Sequence, residues 1–213
     1  MITLTTYKWI PDFAQPLMRA LRVRWALEEA GIPYQVRTIA HDKRMEADHL
    51  LRQPFGQCPA IEEDGLTLFE SGAIALYIAK QSEVLMPKER IAGARAVAWV
   101  FAALNSVEIA VQQLGEIDFF HKDAAWAKER RPMVEAFVKQ RLGMLAQALG
   151  EKEYLEGRFT VGDLMMADVL RILGDGPILN DFPTLKSYRE RCMARPAYQR
   201  AMAAQMDGFR QAA

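Results

Sequence analysis

The spacing of apolar residues alternates between strand and helix periods over the first third of this chain and keeps the helix period after it. Residues 2–7, ITLTTY, are β-branched and aromatic and predict a short strand. The next apolar set is Leu17, Met18, Leu21 and Trp25, with Ala20, Val23 and Leu27 beside it. It falls at helical spacing, and Arg19, Arg22 and Arg24 interleave with it. Pro16 suits the first turn of that helix, and Gly31 before Pro33 suits its end. YQVRTI at 34–39 predicts a second strand, which completes a β–α–β unit with a parallel crossover. Residues 40–58 are polar and mixed, with at most a short helix around Glu46–Arg52. AIEE and LTLFE then flank Asp64-Gly65, a tight-hairpin dipeptide, and Ser71-Gly72 opens a helix through GAIALYIAKQ. The first third is thus βαβ followed by ββα.

After SEVLMPKE the strand pattern disappears. A long apolar helix pattern covers 89–115, and a second runs from about Asp123 to Leu149, interrupted or restarted at Pro132. A third is announced by Phe159-Thr160-Val161-Gly162-Asp163-Leu164: Thr160 stands as N-cap, Asp163 at the third helical position, and Phe159 and Leu164 where a hydrophobic staple puts them. Two more helices fit 183–194 and 196–206, separated by Arg195-Pro196. The predicted division is an α/β domain over 1–81, a linker over 82–88 and an all-helical domain over 89–213.

Charge and rare residues narrow the chemistry. Lys plus Arg and Asp plus Glu both count 27, which gives no electrostatic reason for a nucleic-acid or acidic-membrane partner. No continuous run approaches the roughly 18–20 apolar residues of a membrane span. MITLTTYKW lacks the layout of a signal peptide. Cys58 and Cys192 form no disulfide framework, so a reducing cytoplasm is the simplest setting. His41, His49 and His121 are scattered and read as surface residues. His41 and His49 are eight apart rather than the four of a helical ligand pair, and no metal site is expected.

Four strings then appear in a telling order: QPFGQCPAI, FESGAIALYIA, FTVGDLMMADVLRIL and FPTLKSYRERCMARPAYQRAM. Together with the element order they resemble the cytosolic glutathione transferases, of bacterial type, with the class left open. The resemblance covers nearly the whole chain. It implies a thioredoxin-like first domain with a mixed four-stranded sheet. It makes Pro59 a cis-proline that turns the peptide groups of Cys58, beside Gln57, toward the cysteinyl part of glutathione. Glu70 and Ser71 would hold the γ-glutamyl end, where a helix N-terminus suits a carboxylate. Glutathione would be a co-substrate, with no metal. Its thiolate would attack a small hydrophobic electrophile, a detoxifying conjugation, with peroxide reduction as a side activity. The acceptor pocket would lie between the domains, with Trp9 and Phe13 among its walls, and the chain would form a homodimer. Two other uses stay open: a weakly catalytic glutathione-binding carrier or interaction module, and a redox sensor acting through Cys58.

The resemblance is weakest at the thiolate. Lowering a thiol pKa from about 8.5 by about two units takes roughly 2.7 kcal/mol. One hydrogen bond to the anion supplies roughly 1.5–3 kcal/mol and a helix N-terminus about 0.3–1. Serine-type and cysteine-type members of the family carry that residue in the loop before the first helix, and KWIPDFAQP has neither; tyrosine-type members carry their hydroxyl at the end of the first strand, where Tyr7 stands. The candidates are Tyr7 at the end of the first strand, Trp9, and backbone N–H groups near Gln15 to Leu17, with Arg19 adding positive potential. Tyr7 has an alternative role, packed under the loop. Cys58 reads as a small apolar side chain whose peptide matters more than its sulfur, and Cys192 and Asp168 read as structural.

Overall fold

The computed structural model describes residues 1–211 of the chain, and contacts divide these into two compact units. One is Met1–Met86 together with the residues from Ala194 onward; the other is Pro87–Met193.

The first unit is built on a four-stranded sheet: β1 (Ile2–Tyr7), β2 (Tyr34–Ile39), β3 (Ala60–Glu63) and β4 (Leu66–Phe69), in the order β2-β1-β3-β4. β1 and β2 are parallel, as the crossover through helix α1 (Ala20–Ala30) requires, and β3 runs antiparallel to both of its neighbours. Asp64 and Gly65 both have positive φ, 46° and 87°, which is the backbone a two-residue hairpin turn needs. The short α2 (Ala47–Leu50) and α3 (Ser71–Ala79) complete the predicted pattern.

Helix α1 differs from expectation at its start and along one face. Pro16 sits in a 3-10 turn, Gln15–Leu17, and the backbone straightens at Met18 (φ −57°, ψ 131°) before α1 begins. Arg22 and Arg24 are not on a solvated face; they are 1% and 5% exposed. Every residue from Ala20 to Leu27 is buried, so α1 is enclosed on all sides and takes Arg22 and Arg24 with it.

The last helix, α9 (Pro196–Arg210), belongs with this unit by its contacts, whereas the predicted division assigns it to the helical domain. It packs along α1 through Trp25 and Tyr198, whose rings meet edge-on at 4.9 Å. Arg195 makes two bonds to Glu29, at 2.5 and 2.8 Å, and Arg200 meets Glu28 at 2.7 Å. The side-chain amide of Gln205 donates to the Gln15 carbonyl at 2.8 Å, which ties α9 to the loop after β1.

The second unit holds α4 (Arg90–Phe120), α5 (Ala125–Leu149), α6 (Val161–Arg171), α7 (Pro177–Asn180) and α8 (Pro183–Met193). α4 runs past the predicted end at 115 and contains two π-helical stretches, Ala102–Glu108 and Glu116–Phe120. It is long and apolar enough to cross a membrane by length and composition alone. The sequence shows no such run because Asn105, Glu108, Gln112 and Gln113 interrupt it, and Glu108 is buried as in the core helix of a globular unit. α5 continues through Pro132 without restarting; that residue is exposed, where a carbonyl left unpaired can reach water. α6 begins as predicted, with Thr160 and Asp163 forming a capping box.

Candidate functional site

Strand register brings the candidate residues to one end of the first sheet. Ala60 pairs with Phe69 across β3 and β4, and with Thr5 across β3 and β1. The residues just before Ala60, Gln57 to Pro59, therefore lie between the chain leaving β1 at Tyr7 and the chain leaving β4 at Glu70 and Ser71. Neighbouring strands are about 4.8 Å apart. Six of the eight residues singled out in the sequence thus share one rim. The other two, Trp9 and Phe13, stand on the loop after β1 and are each 50% exposed.

The segment leading to this rim is pinned by side chains from elsewhere. Gly56 is buried at φ 64°, and a Cβ there would sit 2.6 Å from Met45 Sδ and 2.9 Å from the Arg44 carbonyl oxygen, so only glycine fits. The Tyr7 hydroxyl donates to the Gly56 carbonyl at 3.2 Å. Nε2 of His49 meets the Gln57 carbonyl at 2.8 Å. His49 is 2% exposed, which corrects its reading as a surface residue. Next comes the Cys58–Pro59 bond, which is cis. The N–H and C=O of Cys58 pair with no other backbone group among the described residues.

The Cys58 side chain turns inward. It packs against a cluster of Ile10, Met18, Ala20 and Phe209, and burial pushes its thiol up to about 12. Burial also raises the Tyr7 phenol to about 12. A Cys58 thiolate would add to the rise, and Arg44 works against it. Both groups are therefore protonated at neutral pH.

On the far side of the rim, α3 starts without a side-chain cap. Its first N–H groups and the positive end of its dipole are left for another acceptor. Glu70, exposed at the N-cap position, has φ 68° and ψ 115°, a conformation that costs a non-glycine residue about 1–3 kcal/mol. Ser71 is buried, and its Oγ accepts from Arg22 at 3.3 Å. That bond occupies a lone pair on the hydroxyl and leaves its proton to be given elsewhere.

The sequence did not single out Arg22 or His49 as parts of the site. Arg22 stands between Leu21 and Val23 in a stretch buried on every side, which helical spacing alone does not mark. His49 carried no signal either, because the contact that buries it joins a helix to a loop of irregular backbone. The backbone donors proposed near Gln15 to Leu17 are engaged: the Gln15 N–H points to Pro11 and Asp12, the Leu17 N–H to Ala14, and Pro16 has none. Among the described residues no group of three or more His, Cys, Asp or Glu side chains could hold a metal ion.

Comparison with known proteins gives one family for both parts of the chain. Residues 4–80 match the family described as glutathione S-transferase, N-terminal domain, and residues 111–201 its C-terminal domain. The chain is 31% identical to glutathione S-transferase F11 of Arabidopsis thaliana, across 85% of this chain and 91% of that one. It is 29% identical to glutathione S-transferase 1 of Zea mays, across 85% and 90%. Among solved structures, a glutathione transferase family member from Pseudomonas fluorescens Pf-5 with two glutathione bound superimposes with a TM-score of 0.82. It is 26% identical over 94% of this chain and 92% of that one.

Proposed function

Since this chain belongs to the glutathione S-transferase family, we propose that its first unit binds glutathione and that the enzyme conjugates it to a small hydrophobic electrophile. The observation that carries this reading is the register Ala60↔Phe69, which sets the unpaired peptide of Cys58 beside the uncapped start of α3. An extended tripeptide would pair its cysteinyl backbone with Cys58, next to Gln57 and Pro59. Its γ-glutamyl carboxylate would take the α3 N–H groups and the Ser71 hydroxyl, and its ammonium the Glu70 carboxylate. The strained backbone at Glu70 accords with this, since it holds an acidic side chain where a glycine would sit without cost.

Tyr7 is the hydroxyl on this rim that would stabilise the thiolate. Its raised pKa keeps it a donor. Its bond to Gly56, at 3.2 Å, is long for a hydroxyl and would yield to an anion, because charge-assisted bonds are roughly twice as strong. Trp9 and Phe13 supply exposed aromatic surface for the electrophile. Free Cys58 and Cys192 suit a reducing cytoplasm, and exposed Leu51 and Phe55 suit a homodimer.

A second reading, a glutathione-binding carrier with little turnover, is favoured by one observation: the proton of Tyr7 already rests on a carbonyl, and the loop has no serine or cysteine to replace it. Calorimetric titration with glutathione and a conjugation assay on a generic aromatic electrophile separate the two. The enzyme reading expects binding, turnover, and a loss of about tenfold or more in turnover for Tyr7→Phe with binding retained. Binding without turnover leaves the carrier, and absence of binding removes both.

A further inference from the structure

We propose that His49 is a positioning residue for the glutathione site, setting the direction of the Cys58 N–H through the peptide unit it shares with Gln57. This inference rests on the glutathione-binding reading above. The contact is between His49 Nε2 and the Gln57 carbonyl oxygen, at 2.8 Å. A carbonyl can only accept, so Nε2 carries the ring proton and Nδ1 is the bare nitrogen. Nδ1 is buried and has no hydrogen-bond partner among the described residues. Among those residues the Gln57 bond is therefore the hydrogen bond that fixes this ring.

The Gln57 carbonyl and the Cys58 N–H are the two ends of one peptide plane, and the only cis bond among the described residues follows it, at Cys58–Pro59. The Gln57–Cys58 unit is accordingly trans, with its C=O and N–H on opposite sides. Held at its oxygen by a buried ring, the plane turns the Cys58 N–H away from His49, toward the open rim. Two successive carbonyls, Gly56 and Gln57, are thus gripped by Tyr7 and His49. They are gripped unequally, since 2.8 Å is a full hydrogen bond and 3.2 Å a slack one for its donor. Tyr7 can let go without freeing the segment; His49 cannot. This division would leave the Tyr7 proton available for the thiolate while the docking peptide stays fixed.

The test uses the full-length protein and the variants His49→Gln and His49→Phe. A glutamine can place an amide N–H where Nε2 stands, whereas phenylalanine fills the space with no donor. His49→Phe should raise the Kd and KM for glutathione about tenfold, with kcat at saturating glutathione held within about twofold. His49→Gln should recover binding to within about threefold of wild type. A His49→Phe variant that melts like wild type and binds glutathione equally well overturns the proposal, as does a His49→Gln variant no better than His49→Phe. Should His49→Phe fail to fold, nitrogen chemical shifts of the wild-type imidazole decide. The Nε2–H tautomer with a coupling to the Gln57 carbonyl carbon supports the proposal, and the Nδ1–H tautomer overturns it. Wild-type protein that does not bind glutathione would instead remove the reading on which this one stands.

Discussion

Two polar clusters, one in each unit, use the same kinds of group to opposite ends. In the second unit, Asp163 accepts from the Leu155 N–H at 2.8 Å, the Thr160 N–H at 2.9 Å, the Thr160 hydroxyl at 3.1 Å and the Tyr188 hydroxyl at 3.0 Å. Every lone pair of the carboxylate has a donor, and the cluster closes on itself. On the rim of the first unit, the groups are held in place yet left open. The Cys58 peptide has no backbone partner, α3 has no cap, and the Ser71 hydroxyl accepts from Arg22 with a proton to give. A cluster that satisfies itself fixes structure. The rim, supported by its neighbours and with donors and acceptors unused, is what the proposed glutathione site would need.

The largest effect should come from opening the closed cluster. Asp163→Ala leaves four buried donors without their acceptor, each costing roughly 1–3 kcal/mol and not additively. A loss of about 3–5 kcal/mol of stability is expected in urea denaturation. A loss below about 1 kcal/mol would mean that water replaces the carboxylate and that the cluster is not as closed as its distances say.

The two clusters were also unequally legible. Thr160 and Asp163 lie three residues apart, so the capping box is written locally and the start of α6 follows from it. The Asp64-Gly65 hairpin was legible for the same reason. The rim is assembled over distance. Tyr7 reaches Gly56 and Arg22 reaches Ser71 across 49 residues each, and no local pattern encodes either bond. Gln57 to Pro59, Glu70 and Ser71 were found through a family likeness, and the supports beneath them, Arg22 and His49, were not found. The place of α9 was hidden likewise, because its pairing with α1 joins Glu28 and Glu29 to arginines more than 160 residues away.

Ser71→Ala probes the open cluster. It removes the donor offered to the γ-glutamyl carboxylate and an acceptor of a buried arginine. Glutathione Kd should rise roughly tenfold, as for loss of one hydrogen bond to a charged group, while stability falls by only about 1 kcal/mol, the low end for a buried donor, because at 3.3 Å the bond Arg22 loses is a long one. The comparison predicts this split between binding and stability, the reverse of that for Asp163→Ala. An equal fall in both would make Ser71 part of a structural cluster like the other.

The smallest effect should be at the Cys58 sulfur, which turns inward from the rim to pack against Ile10, Met18, Ala20 and Phe209. Its thiol titrates at about 12, raised because burial disfavours the anion, so at pH 8 about one molecule in ten thousand carries the thiolate. A free cysteine at about 8.5 is roughly a quarter ionised there. Native protein should therefore react with iodoacetamide about a thousandfold more slowly than free cysteine at pH 8. The rate should keep rising about tenfold per pH unit through pH 10, where a free thiol has levelled off. Cys58→Val keeps the peptide and the apolar packing, so glutathione binding should stay within about twofold. Rapid labelling at pH 8, or a mixed disulfide after brief exposure to oxidised glutathione, would move the sulfur to the open side of the comparison and revive a redox role for this residue.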